Sequence, residues 1–112
     1  MSDTIIHVTD SSFTKDVVQS KLPVVVDFWA TWCRPCLMMA PTFEAVSKEY
    51  AGKVTFAKMD TDENQDIPMQ FYIQGIPTMI LFKDGKEVDR IVGMVPREIL
   101  KAKLDRAFGV TV

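Results

Sequence analysis

Hydrophobic positions along the chain follow two alternating periods, and the alternation predicts the order of elements. Residues 5–8 hold Ile5, Ile6 and Val8 around His7 and predict a short strand. Ser11 or Ser12 can cap a helix running to about residue 20, with Phe13, Val17 and Val18 on one face. After Pro23, residues 24–29 are apolar at both parities except for Asp27, the pattern of a central strand buried on two faces. A helical period from about residue 33 to residue 50 puts Phe43, Val46 and Tyr50 together, and Pro41 inside it predicts a kink. Residues 54–60 form a third strand, and 64–71 a short helix in which Pro68 is tolerated only near the first turn. Residues 78–82 and 87–92 flank the turn signal Asp84-Gly85 and predict an antiparallel hairpin. A last helix over about 96–108 turns Ile99, Leu100, Leu104 and Phe108 inward.

The resulting order, βαβαβαββα, predicts a mixed sheet with helices on both faces, because a central strand buried on two sides needs cover on each. At 112 residues, without repeats or linker-like tracts, the chain reads as one domain over 1–112 with a core that needs no staples. A net charge of −2 provides no basic field, which argues against nucleic-acid binding. Residues 1–4 lack a basic leader, and the apolar stretch 22–30 is interrupted by Asp27 and too short to span a bilayer. The expectation is a soluble, unexported protein without membrane contact. One close cysteine pair cannot staple a fold, so a reducing compartment, the cytoplasm, fits best.

Both cysteines lie in Trp32-Cys33-Arg34-Pro35-Cys36, where the buried strand gives way to a helix. Two thiols at this spacing can close a small disulfide ring and recover on reduction, a reversible two-electron couple. Zinc needs about four ligands, and only His7 and carboxylates could join the sulfurs, so no metal is expected. Cys33, at the helix start, is the candidate nucleophile, because free N–H groups and the positive end of the dipole stabilise its thiolate. Cys36, nearly a turn on, is the resolving thiol, and Pro35 fixes the first turn between them. Asp27, on an apolar strand, should have a raised pKa and is the candidate general base for Cys36. Trp32 is a contact for a protein substrate or a partly buried packing residue. His7 reads as a surface residue, and the seven methionines as core filler.

These residues, together with Asp27-Phe28-Trp29-Ala30, Pro41, Lys58 and Asp60, Gly75-Ile76-Pro77-Thr78 and Val92-Gly93, resemble the thioredoxin family over nearly the whole chain. The resemblance implies the thioredoxin fold, a three-layer α/β/α sandwich around a five-stranded mixed sheet, and protein-disulfide reductase activity. It implies a cis bond before Pro77 facing the dithiol, with the Ile76 backbone free to pair with an extended substrate segment. It makes Lys58 the neighbour that tunes Asp27, unless the two form a structural ion pair, and it sets Gly93 and Met94 along the substrate groove, unless Gly93 serves only a bend. It further implies a monomer without a cofactor of its own, recharged by a flavin-dependent thioredoxin reductase. Two positions depart from the family pattern. Arg34 stands where the family usually has glycine, and Leu37 where it usually has a basic residue, so a positive charge has in effect moved next to Cys33 and bears on redox tuning. Met94 replaces an often smaller groove residue. Two rival functions stay open: a thiol oxidase or isomerase, raised by Arg34, and a non-enzymatic subunit that uses the groove without the thiols.

Overall fold

The computed structural model describes residues 4–112 and contains five strands and three α-helices. β1 (Ile5–His7), β3 (Thr55–Asp60) and β2 (Val24–Trp29) run parallel, while β4 (Thr78–Lys83) and β5 (Lys86–Val92) are antiparallel, in the order β1-β3-β2-β4-β5. The chain rule that parallel neighbours need crossovers explains why β2 takes the centre: α1 (Arg34–Glu49) links it to β3 on one side, and the hairpin fills the other. Strand parity divides the core. Val25, Phe56, Met79, Leu81 and Ile91 pack against Phe43, Val46 and Tyr50 of α1 and Leu100, Leu104 and Phe108 of α3 (Arg97–Phe108). Val24, Val26, Phe28, Met59 and Ile80 pack on the opposite side against Phe13, Val17 and Ile67, the last from α2 (Asp66–Gln70). This is the thioredoxin fold, a five-stranded mixed sheet between two helical layers.

The β4–β5 connection is a two-residue loop in which Asp84 (φ 53°) and Gly85 (φ 79°) are both left-handed, the turn geometry that matches strand twist. A Cβ on Gly85 would come within 2.9 Å of the Val18 carbonyl oxygen, so the close approach of that segment also requires glycine. Beyond the turn, the register shifts between Leu81 and Phe82 and leaves Val88 as the extra, exposed residue of a bulge.

Some local expectations change. The helix predicted over 11–20 is a single π-helical turn, Thr14–Val18, with no side-chain cap; the Ser12 hydroxyl instead accepts from the Thr9 N–H at 2.9 Å. The wider turn leaves Val18 exposed rather than packed. Ile99 is also exposed, because Leu100, Leu104 and Phe108 alone span the buried stripe of α3. The methionines divide: Met39, Met59 and Met79 fill the core, whereas Met38, Met69 and Met94 are exposed.

α2 is held from a distance. The Asp10 carboxylate accepts the Gln65, Asp66 and Ile67 N–H groups at 3.1, 3.2 and 2.9 Å, while the Asp10 N–H donates to Asn64 Oδ1 at 2.8 Å. The first-turn donors of a helix have no intrahelical partner, and here a loop residue more than fifty positions away satisfies three of them.

Candidate active site

The chain leaves the carboxyl end of β2 at Trp29, turns through Ala30 and Thr31, and enters α1 with Cys33 as its N-cap. Its Sγ accepts the Cys36 N–H at 3.2 Å, so one of the free donors of the helix start points at this sulfur. Pro35 occupies the first turn, where its missing donor costs nothing, and no acidic residue sits in that turn. Cys33 and Cys36 are joined as a disulfide with Cα atoms 5.3 Å apart. Both are more covered than a surface dithiol suggests, Cys33 at 4% exposure and Cys36 at 1%, enclosed by Ala30, Trp29 and Ile76. Arg34, Leu37 and Met38 project from the first turns into solvent.

Ile76 closes the site from the sheet side. Its peptide bond to Pro77 is cis, and its carbonyl oxygen lies 3.7 Å from Cys33 Sγ. The Thr78 hydroxyl donates to the Gly75 carbonyl at 2.6 Å and the Gly93 N–H to the Pro77 carbonyl at 2.8 Å, fixing both ends of this loop. Gly93 has φ 89°, a backbone conformation that favours glycine although a Cβ there would meet open space; Met94 beside it is exposed. Trp32 is 69% exposed and donates from Nε1 to Asp62 Oδ2 at 2.9 Å, which orients the ring while leaving most of it open.

On β2, two residues before Trp29, Asp27 shares the parity of Val25 and therefore faces the layer formed by α1 and α3. It is completely buried, and among the described residues neither carboxylate oxygen has a hydrogen-bond partner. Burial pushes its pKa from 3.8 to about 6, against a smaller downward pull from Lys58. Lys58 is its register partner on β3, yet among the described residues the two form no ion pair. The Lys58 ammonium lies instead 4.8 Å from the centre of the Trp29 ring, a cation–π position. A carboxylate near pH 6 can exchange a proton at neutral pH, and a neighbouring cation that is not bonded to it can adjust that value.

The arrangement is a disulfide-exchange centre: a sulfur at a helix start, a second sulfur less than a turn on and bonded to it, and an exposed aromatic beside them in the chain. The comparisons agree. The thioredoxin family model matches residues 4–106. The chain is 48% identical over 100 residues to a thioredoxin of Synechocystis sp., covering 89% of this chain and 94% of that protein. It is 47% identical over 105 residues to a thioredoxin of Pseudomonas aeruginosa and 50% identical over 105 residues to one of Acidithiobacillus ferridurans, each covering 94% of this chain and 97% of the relative. The chain belongs to the thioredoxin family, and with both cysteines in place it is a thiol–disulfide oxidoreductase that reduces protein disulfides. Disulfide-bearing proteins and a reductase are its partners in general terms. No helix among the described residues is long and apolar enough to cross a membrane.

Cys33, Cys36 and Ile76 come together at the disulfide with Trp32 adjoining them in the chain, Asp27 and Lys58 are register partners on β2 and β3, and His7, opposite Lys58 on the edge strand β1, is exposed. Sequence reasoning missed Asp62, which holds Trp32, and Asp10, which fixes α2 beside it. An Asp in a loop carries no local mark of a partner thirty or fifty residues away.

Proposed function

We propose that Cys33 attacks a substrate disulfide and Cys36 then resolves the mixed disulfide. The carrying observation is the geometry at the helix start, where Cys33 caps α1 and receives the Cys36 N–H. In the first step the Cys33 thiolate forms a bond to one substrate sulfur, and the other leaves as thiolate and takes a proton. In the second, Cys36 gives its proton to Asp27 and its thiolate displaces the remaining substrate sulfur from Cys33. The substrate is reduced by two electrons, and the Cys33–Cys36 pair is oxidised by two. Asp27 fits the base role because it is buried, unpartnered and raised to about pH 6; Lys58 tunes it through space.

The substrate segment lies extended along Ile76 and Pro77 with Gly93 and Met94 on its far side and Trp32 on its near side. The Ile76 carbonyl oxygen beside Cys33 supports that path. Pro35 holds the first turn, and Arg34 raises the potential by favouring the Cys33 thiolate. The chain acts as one monomeric domain in the cytoplasm, without a cofactor, and receives electrons from a flavin-dependent thioredoxin reductase. Coupled NADPH oxidation with such a reductase and insulin tests this reading. Turnover that survives Cys33→Ser would overturn it.

A further inference from the structure

The segments around the disulfide carry a single charge. Trp29, Ala30 and Ile76 enclose the two sulfurs, and the Gly93 N–H ties its own segment to the Pro77 carbonyl at 2.8 Å. Residues 29–33, 34–43, 75–78 and 92–96 hold no charged side chain except Arg34. Asp62 and Lys58 meet these segments from outside, and each is engaged: Asp62 accepts from Trp32 Nε1 at 2.9 Å, and the Lys58 ammonium lies 4.8 Å from the centre of the Trp29 ring. Trp32, Leu37 and Met38, close to Arg34 in the chain, are exposed and largely apolar.

The fold makes no use of the Arg34 charge. Its side chain is exposed, and among the described residues it enters no ion pair, hydrogen bond or cation–π contact. It stands in the first turn of α1, where a cation opposes the positive end of the helix dipole, and that turn has no acidic residue to offset it. An unpartnered guanidinium held there, one residue from Cys33, keeps all its donors for a group outside the chain. A carboxylate arriving beside it can accept two parallel N–H bonds and meets the favourable end of the same dipole.

We propose that Arg34 selects protein substrates that carry an aspartate or glutamate within a few residues of the half-cystine attacked by Cys33, its guanidinium donating to that carboxylate while the substrate is docked. The proposal rests on the reductase reading and deepens it. Docking strips water from Arg34 whatever the substrate, and amid uncharged, largely apolar segments only an acidic side chain replaces the lost hydrogen bonds. A lysine in the same place meets like charge.

The test is single-turnover reduction, by pre-reduced protein, of peptides closed by one disulfide that carry aspartate, serine or lysine beside a half-cystine. Reduction of the same peptides by dithiothreitol gives their intrinsic reactivity, by which each rate is divided. The corrected rate for the aspartate peptide should exceed that for the lysine peptide by about tenfold at low salt, with serine between them. In about 1 M salt, where screening acts within about 3 Å, the ratio should fall below about threefold. Arg34→Lys should keep most of the preference, Arg34→Gln should abolish it and Arg34→Glu should invert it. A change of redox potential in these variants acts on all three peptides alike, so the ratio reads docking alone. A wild type that reduces the three peptides at equal corrected rates overturns the proposal and leaves the reductase reading standing; one that reduces none overturns both. A preference insensitive to salt, or unchanged in Arg34→Gln, assigns the discrimination elsewhere and overturns the proposal.

Discussion

Replacing Asp27 by alanine should make the folded protein more stable and the enzyme slower. The native carboxyl has a pKa near 6 against 3.8 for the free group, so between those values the native state binds more protons than the unfolded one. The associated stability is fully present below about pH 4 and is lost as pH rises through 6. At about 1.4 kcal/mol for each pH unit, the ionised native carboxylate costs about 3 kcal/mol at pH 7 and about 1.5 kcal/mol at pH 5. Alanine removes this cost. It also leaves a small cavity, worth about 1 kcal/mol in a close-packed interior. No hydrogen bond is broken, since neither oxygen has a partner. The net gain is therefore about 2 kcal/mol at pH 7, falling to about 0.5 kcal/mol at pH 5.

Urea unfolding of the oxidised wild type and Asp27→Ala at the two pH values measures this directly. An alanine variant less stable at pH 7, or an advantage that does not shrink on acidification, would refute the reasoning, because either means the carboxylate is satisfied in the native state. Turnover should fall by about 10²-fold, since resolution loses its proton acceptor. The wild-type rate of resolution should decline below pH 6, a limb absent from the variant. A preserved limb would assign the titration to another group.

Cys36→Ser should accumulate a mixed disulfide with substrate on Cys33, whereas Cys33→Ser should form none; mass spectrometry of the trapped species checks the order of attack. Arg34→Gly should make the dithiol more reducing by about 20 mV, because an exposed cation next to Cys33 favours the thiolate by only about 1 kcal/mol, and equilibration with glutathione reads the shift. Asp10→Ala should destabilise the protein by about 1–2 kcal/mol, the loss of a capping carboxylate, and amide exchange should quicken first at Gln65, Asp66 and Ile67; uniform exchange along the chain would contradict a local role.

The sheet was legible because its signals are local and redundant. β2 is apolar at both parities and therefore central, and β4 and β5 flank a dipeptide suited to a two-residue turn. The first helical segment failed for an equally local reason. Phe13 and Val17 make one apolar pair that a π turn satisfies as well as an α-helix does, so the period alone could not choose between them. Ile99 and Val18 show the related limit that a helical stripe predicts which residues could be buried, while the width of the opposing surface decides how many are.

The site divides along the same line. Cys33, Cys36, Pro35 and Asp27 are conspicuous because each breaks a local rule: two thiols in a chain with no others, a proline at a helix start, a carboxylate on an apolar strand. The distance between Asp27 and an ion pair with Lys58 was not readable, because register pairs the two residues while the Trp29 ring draws the ammonium aside. Asp10 and Tyr72 break no rule that a sequence displays. An aspartate in a polar loop is ordinary until α2 is seen to end on it, and a tyrosine after a short helix is ordinary until its φ is known. The chemistry of exchange is thus written in residue types, whereas the placing of α2 beside Trp32 depends on contacts at its two ends, Asp10 at the start and the left-handed Tyr72 after the last turn.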